Sequence, residues 1–566
     1  MTNMSMTKYN IIRFALICTS FFLFASNITA QEDEGAELLK PFRARLQESS
    51  KKVSIPLLPP IDNQPQKQEY NNPDYTIKVS YPSPTVRPLA YTVSENQSFH
   101  KFYLKGGIGY PLSPNAELSY HDIFNKNLKI SAQLSHISLI AMDSAKNYNQ
   151  GFGKTHFDFG ATYFHEKGVA LGTQLGFNLD AYRFYGHHQL SEILPDSIDL
   201  FPGQPRVSKD SVQQNFFEFF GNLHLFNHAQ NSLKLNYRGD LDFYYLNDRY
   251  NANEFSITPK TSVEKWLGNG KNKHRLGADL FFNFTSFNND STGAGRVLFN
   301  FHPFAELNFG IFKAKIAANL GASENKFFIY PDVHLKLSLV DGFIEPFAGV
   351  NGQMKMNTFR SISLYLPFIS SQNEFRHTGS YEFYGGLGGT ARGISYELRA
   401  SYFMNSQMPL FLNDSTQKYL RFNILYDDIN YVHLKGTFDI EVFKNLNVKA
   451  FVAYNLYTQI KNYQRAYHLP VLESNIALQY KLKNLLIKAE FFLNSGVAYQ
   501  ELLTKENKNL GFLYDINLAA YYWFGKTKQN IGIYAELNNI ANNVNPRWYL
   551  YPQLGLNGRI GFIMKF

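Results

Sequence analysis

Apolar and polar residues alternate over long stretches in the middle of the chain. One stretch runs from Leu233 to Tyr245, a second from Tyr431 to Val442 and a third from Leu446 to Leu456. A period of two predicts β-strands with one apolar face and one polar face. Each stretch is longer than the roughly 9 to 11 residues that a tilted strand needs to cross a membrane. The polar faces supply the predicted lumen-facing residues, which are Lys234, Arg238, Asp240, Asp242, Lys435, Asp439 and Glu441.

The connections between the predicted strands alternate between short and long. Short turns are predicted at Asn125 to Asn127, Gly310-Ile311 and Lys444-Asn445, among others. Longer loops are predicted between them, at Ala141 to Lys154, Tyr185 to Asp210, Met354 to His377, Asn405 to Lys418, Thr458 to His468 and Ser495 to Asn509. A soluble sandwich would instead have strands of about five or six residues with evenly short turns.

The strand count depends on one segment. If Tyr419 to Val442 is a single strand with a bulge near Asp427-Asp428, the short and long connections alternate without exception. The count is then about 22, an even number that places both ends of the sheet on one side. The predicted fold is therefore all-β, a transmembrane antiparallel β-barrel of about 22 strands with an extended Pro-rich N-terminal arm.

The ends of the chain predict export and barrel assembly. Residues 1–30 have the pattern of a signal peptide, with cleavage near Ala30. Residues 31–97 are Pro-rich and lack periodicity, which predicts a periplasmic or lumenal arm, and residues 98–566 form the barrel. In the last strand Phe562, Met564 and Phe566 share the face predicted to contact lipid, and we expect them to be the signal for the barrel-assembly machinery.

Composition agrees with a barrel and excludes some kinds of chemistry. The 37 Tyr and 51 Phe bring the aromatic content to 16%, which fits aromatic girdles at two membrane interfaces. Cys18 is the only cysteine and lies in the signal peptide, so the mature chain has no disulfide and no thiolate site. The net charge of +9 predicts contacts with lipopolysaccharide or a basic lumen, because an exported chain does not meet nucleic acid.

Several polar groupings are candidate sites, and each has a simpler interpretation. His187-His188 with Asp196 and Asp199 in a long loop could hold a metal, although adjacent histidines lack ordinary ligand spacing. Asn288 to Ser291 could bind calcium in an external loop, although polar loop tips have the same kinds of residues. His136 and His156 are expected to be pore-wall histidines with satisfied hydrogen bonds. Gly385 to Gly389 lacks the lysine and helix of a phosphate loop and predicts strand glycines. No catalytic grouping is present, so we expect neither a cofactor nor enzyme activity.

The C-terminal quarter resembles that of TonB-dependent receptors. The residues that carry the resemblance are Leu537 to Asn542, Trp548-Tyr549, Tyr551-Pro552 and Gly555. It implies an outer-membrane barrel of a Gram-negative bacterium. Receptors of that family also carry an N-terminal plug, and the arm of 67 residues over 31–97 is too short for one. The chain therefore resembles plugless barrels of this type.

Two functions follow from the sequence. The first is a channel, or a porin-like channel component, for solute passage across the outer membrane. The alternative is a non-transporting scaffold or accessory barrel that docks a periplasmic or surface lipoprotein partner. A lumen of about 22 strands is too wide to stay open, so we expect the arm, inward-folded loops or a separate plug protein to fill it.

Overall fold

The computed structural model describes residues 100–566 except 144–147, 194–211, 269–272, 292, 325, 341, 392 and 526–529. The predicted signal peptide and Pro-rich arm lie outside the described residues. The strands are β1 Phe102–Tyr110, β2 Asn115–Phe124, β3 Leu128–Asp143, β4 Tyr148–Phe164, β5 Val169–Arg183, β6 Gln213–Asn227, β7 Leu235–Asp248, β8 Asn253–Leu267, β9 His274–Asn288, β10 Gly293–Phe309, β11 Phe312–Ser323, β12 Lys326–Leu337, β13 Glu345–Lys355, β14 Thr378–Ala391, β15 Ile394–Asn413, β16 Phe422–Phe443, β17 Leu446–Ile460, β18 Leu472–Leu482, β19 Leu485–Ser495, β20 Ala498–Gln500, β21 Asn507–Asn509, β22 Leu513–Phe524, β23 Ile531–Asn538 and β24 Asn557–Lys565.

Twenty-two of these strands form one closed antiparallel sheet, as predicted. Each strand pairs with its neighbours in the chain, β19 pairs with β22, and β24 pairs with β1 to close the ring. The two short strands β20 and β21 form a separate hairpin. At the seam, the Phe102 and Phe566 backbones exchange two hydrogen bonds of 3.0 Å. The last residue of the chain therefore takes part in closing the barrel.

Removing Phe566 should impair closure of the barrel. The deletion takes away both backbone hydrogen bonds to Phe102 and an exposed aromatic ring on the outer wall. Each hydrogen bond contributes about 1 kcal/mol, so we expect the midpoint of urea unfolding in lipid vesicles to fall. The fraction that runs as a compact band on unheated gels should fall too. Replacing Leu503, an exposed loop residue, with serine should change neither measurement.

The outer face of the sheet is apolar and the inner face is polar. On β16, Leu434 and Phe438 are exposed on the outer face, whereas Lys435 and Asp439 lie on the inner face. Exposed leucine, isoleucine, phenylalanine and tyrosine side chains continue around the other strands. A continuous exposed apolar surface of this kind is typical of a wall in contact with lipid.

The barrel has two different ends. The end with both termini of the sheet, called here the turn end, has mostly short connections such as 125–127, 310–311, 444–445 and 483–484. The opposite end, called the loop end, has the long connections 184–212, 356–377, 461–471, 496–512 and 539–556. The predicted long loop at Ala141 to Lys154 was wrong, because β3 and β4 extend to Asp143 and from Tyr148. The loop predicted at Asn405 to Lys418 is also shorter, because β15 continues to Asn413.

The segment that decided the strand count is one strand, β16, as predicted. The bulge is at the expected position along β16, but the extra residues lie in the two neighbouring strands. Ser406 and Gln407 of β15 are opposite Asp428, and the Gln407 backbone N–H donates to the Asp428 carboxylate at 3.1 Å. On the other side, Thr458 is the extra residue of β17. Asp428 thus stabilises the bulge of its partner strand.

Among the described residues there are two α-helices, both in loop-end connections. Helix α1 is His187–Ile193 and helix α2 is Phe359–Tyr365. A capping box begins α2, since the Thr358 hydroxyl accepts from the Ser361 backbone and the Ser361 hydroxyl bonds the Thr358 backbone. Within the described part of the chain, neither helix is long and apolar enough to cross a membrane.

Candidate functional site

The loop-end connections fold over the opening of the barrel and pack against one another. We call the described parts of 184–212, 356–377, 414–421, 461–471, 496–512 and 539–556 the lid. Strands β6 and β16 are ten strands apart in the ring of 22. Yet the guanidinium of Arg421, next to β16, lies 5.0 Å from the ring centroid of Phe184, next to β5 and β6. Contacts between opposite sides of the ring mean that the lid crosses the lumen.

The lid and the ends of the strands beneath it share an apolar core. Phe368 and Tyr551 stack with ring centroids 3.7 Å apart, and Tyr185 meets Tyr551 edge to face at 5.1 Å. Trp548 packs against Phe411 at 5.8 Å. The remaining buried members of the core include Leu190, Phe216, Phe287, Phe359, Leu366, Ile369, Phe375, Leu420, Phe422, Leu502, Leu510 and Leu550. A core of this size makes the lid a packed structure and not a set of separate loops.

A buried carboxylate on the barrel wall holds the start of α2. Glu254 of β8 is 0% exposed, and its two oxygens accept from the backbone N–H groups of Phe359 at 2.8 Å and Arg360 at 3.0 Å. The Tyr244 hydroxyl donates to the same carboxylate at 2.8 Å. These bonds satisfy N–H groups that a helix leaves unpaired in its first turn. Glu254 therefore fastens the lid to the wall.

Two arginines complete this attachment. Arg296 of β10 donates to the carbonyl oxygens of Asn357 at 2.8 Å and Phe375 at 3.0 Å, the two sides of the lid segment that contains α2. Arg360 of α2 pairs with the wall residue Glu218 at 2.5 Å. We call Glu218, Glu254, Arg296 and Arg360 the latch. Because Glu218, Glu254 and Arg296 are buried, loss of the partner of any of them leaves a buried charge without compensation.

Two buried histidines in the lid are neutral. His468 stacks on Trp548, its Nδ1 donates to the Phe411 carbonyl at 2.8 Å, and its Nε2 accepts from the Tyr549 backbone at 3.3 Å. Burial lowers the pKa of His468 to about 4. His377, at the end of the 356–377 connection, also has its pKa lowered to about 4, first by burial and then by the charge of Arg296.

Most of the predicted lumen-facing residues lie on the inner wall toward the turn end. Arg238 pairs with Asp240 at 2.7 Å, Asp242 with Lys260 at 2.7 Å, and Asp439 with Lys449 at 3.3 Å. Lys435 lies on the same face, and Glu441 is exposed near the end of β16. Lys234 is a correction, because it lies in the turn before β7 with a φ of 53° that interrupts the strand alternation.

The inner wall carries other ion pairs that sequence reasoning did not single out. Glu536 pairs with Lys105 at 2.9 Å and Arg559 at 3.1 Å. Arg275 bridges Glu264 at 2.9 Å and Glu306. Positive and negative side chains alternate around the wall, so the two charges of each pair neutralise one another. The wall therefore offers a polar but not strongly charged surface.

A cavity of 350 Å³ lies between the inner wall and the lid. Strands β4, β5 and β6 form one side, and α2 forms the other. The polar side chains around it are Lys154, His156, Asn178, Asp180, Tyr182, Glu218 and Arg360, and the apolar ones include Ile137, Leu246 and Leu364. Two latch residues, Glu218 and Arg360, are therefore part of the cavity lining.

The remaining candidates have structural roles. Gly385 to Gly389 are inside β14, as predicted. His156 faces the lumen and bonds Asn178 at 2.6 Å, but His136 faces outward and bonds Thr155 at 2.8 Å, so the pore-wall interpretation was wrong for His136. The side chain of Asn289 donates to the Ser371 carbonyl of the lid at 3.0 Å.

The histidine pair gives no sign of a metal site. His187 is buried and its Nδ1 lies 3.0 Å from the Phe184 carbonyl, while Asp196 and Asp199 are outside the described residues. Over the part of the chain that the structure describes, no three His, Cys, Asp or Glu side chains are grouped to hold a metal.

The lid was the main feature that sequence reasoning missed. Inward-folded loops were one of three expected ways to fill the lumen, but no residues were assigned to them. A signal was present, because the predicted loop from Met354 to His377 contains Phe359, Leu366, Phe368 and Ile369. Exposed loops rarely need so many large apolar residues.

The sequence matches no protein-family model and no curated protein. Solved structures match at low identity. The ferric enterobactin receptor PfeA of Pseudomonas aeruginosa is 10% identical with a TM-score of 0.60, covering 82% of this chain and 81% of that chain. The siderophore receptor PirA of Acinetobacter baumannii is 9% identical with a TM-score of 0.62, covering 82% and 80%. The pyoverdine outer membrane receptor FpvA of P. aeruginosa is 10% identical with a TM-score of 0.60, covering 83% and 79%.

These matches define the class of fold. The chain is a closed 22-stranded barrel like those of siderophore receptors, which confirms the predicted resemblance to TonB-dependent receptor barrels at the level of the fold. The structural neighbours are receptors and not enzymes.

Proposed function

We propose that this chain is an outer-membrane channel component of a Gram-negative bacterium, closed by its own lid in place of a plug domain. The lid is the observation that carries the proposal. It crosses the lumen, has a continuous apolar core and is held to the wall by buried charges. The likeness of the barrel to outer-membrane receptors and its apolar outer face support the location.

In this proposal, solutes pass when the lid leaves the loop end. The signal peptide delivers the chain to the periplasm, Phe562, Met564 and Phe566 direct it to the barrel-assembly machinery, and the outer wall contacts lipid and lipopolysaccharide. Ion pairs around the inner wall give a path of mixed polarity, suited to small polar solutes. Neither a cofactor nor nucleic acid has a part in it.

Removing the central lid segment should open the barrel. Replacing residues 358–376 with a short Gly-Ser linker takes away α2 and its apolar contacts, while β13 and β14 keep their pairing. We expect wild-type protein in planar lipid bilayers to remain mostly closed and the variant to show stable open channels. Exchange of Leu503 for serine, in a different loop, is the control.

A silent variant that still folds as a barrel would contradict the channel proposal. Folding is checked by strand content and by the compact band on unheated gels. If the silent barrel also retained a lipoprotein partner from native outer membranes, the scaffold alternative would replace the channel.

A further inference from the structure

The cavity beneath α2 contains two opposite charges that lack an ion-pair partner. Lys154 of β4 and Asp180 of β5 are directly opposite in the register of the two strands, and both side chains line the cavity. Within the described residues, neither has an oppositely charged atom within 4.0 Å. Both side chains interact with Tyr182, whose hydroxyl donates to Asp180 at 3.4 Å and whose ring centroid lies 5.5 Å from the Lys154 ammonium.

This arrangement differs from that at several other places on the inner wall. There, opposite charges on neighbouring strands pair directly, as Asp242 does with Lys260 at 2.7 Å and Asp439 with Lys449 at 3.3 Å. The other two charges of the cavity, Glu218 and Arg360, also pair with each other. Lys154 and Asp180 are thus available to a bound molecule that carries one charge of each sign.

Apolar side chains from α2 and from the wall also line the cavity. Leu364 of α2 is 61% exposed although it belongs to the lid, and it faces the cavity together with Ile137 and Leu246. The volume of 350 Å³ falls in the range of about 300 to 1,000 Å³ that is usual for small-molecule sites. Apolar side chains beside a pair of opposite charges favour a molecule that carries both charges and an apolar side chain.

We propose that the cavity binds an α-amino acid with an aliphatic side chain. The carboxylate of the amino acid accepts from the Lys154 ammonium, its own ammonium donates to the Asp180 carboxylate, and its side chain packs on Leu364. This site rests on the proposed channel function, because the cavity lies on the path of solutes beneath the lid. It names the class of solute that the channel would carry.

Binding is measured by isothermal titration calorimetry on the full-length protein in detergent micelles, with three probes. Leucine carries both charges, leucinamide only the ammonium, and N-acetyl-leucine only the carboxylate. We expect leucine to bind at least about tenfold more tightly than either derivative, since each loses one charge-assisted hydrogen bond. The substitutions Lys154→Met and Asp180→Asn should each weaken leucine binding by a similar factor.

The matched control is Asp439→Asn, which removes an acid from the same inner wall outside the cavity. It should leave leucine binding unchanged. The proposal would be overturned if all three probes bound equally or if leucine did not bind. It would also be overturned if neither Lys154→Met nor Asp180→Asn weakened leucine binding. These outcomes are independent of conductance. Open channels in the lid-deleted variant, together with absence of leucine binding by the wild-type protein, would remove the binding site and leave the channel.

Discussion

Replacing Glu254 with alanine should release the lid from the barrel wall. The change removes the acceptor for the Phe359 and Arg360 backbone N–H groups at the start of α2, and for the Tyr244 hydroxyl of β7. It also leaves Arg296, 4.0 Å away, without its counter-charge. Breaking a buried charge pair costs about 3 to 5 kcal/mol, so the ratio of closed to open lid should fall by a factor of roughly 10² to 10⁴.

Two measurements test this effect. Hydrogen exchange of the backbone amides in 357–377 should become faster in the variant, because local opening of the lid exposes them. In planar bilayers the open probability should rise. The strands of the barrel should keep their slow exchange, since their hydrogen bonds do not depend on Glu254.

Glu264→Ala is the matched control. Glu264 is on the same strand and the same inner face as Glu254, but it pairs with Arg275 on the wall and does not contact the lid. If Glu264→Ala and Glu254→Ala accelerated exchange in 357–377 equally, the effect would come from the wall in general. Unchanged exchange at 359–366 in Glu254→Ala would show that the carboxylate does not fasten the helix.

Acidification should open the lid through its buried histidines. His468 and His377 have pKa values of about 4 in the closed lid, well below the ordinary value of 6.5. A group with a lowered pKa in the closed state favours closure fully above pH 6.5, and this contribution is lost as the pH falls from 6.5 toward 4. At pH 4.5 we expect the closed lid to lose about 2 to 3 kcal/mol for each histidine.

The measurement is channel open probability between pH 7 and pH 4.5, with hydrogen exchange of the lid as the second readout. His468→Gln combined with His377→Gln should flatten the profile, because glutamine has no charge to gain. Glutamine also provides a donor and an acceptor near the positions that His468 uses. His136→Gln, on the outer wall, is the control. An equally steep profile in the double variant would assign the response to carboxylates instead.

The local alternation of apolar and polar residues predicted the barrel correctly. The run from Leu233 to Tyr245 predicted the faces of β7. The alternation of short and long connections, with Tyr419 to Val442 taken as one bulged strand, led to the correct number of strands. Errors occurred where backbone geometry departs from the period of two. Lys234 has a left-handed backbone that excludes it from β7, and the bulge opposite Asp428 lies in β15 instead of β16. Such displacements depend on the partner strand, which a single segment does not reveal.

The latch could not be predicted from spacing. Glu254 and Phe359 are 105 residues apart, and Asp248 and Ser371, whose side chains also bond between wall and lid, are 123 apart. In the sequence, Glu254 is one acid near a turn. Only closure of the ring brings β8 next to the connection between β13 and β14. This contact removes water from the Glu254 carboxylate, and the carboxylate then fastens the lid to the wall.

The sequence by itself determined that this chain folds as a barrel, because the alternation of apolar and polar residues is a local property that each strand expresses separately. It also determined the strand count and the character of the two faces. Tertiary structure alone decided what the barrel contains. Loops from opposite sides of the ring meet only after the sheet has closed, and their apolar residues then bury one another over the lumen and place the latch and the cavity beneath them.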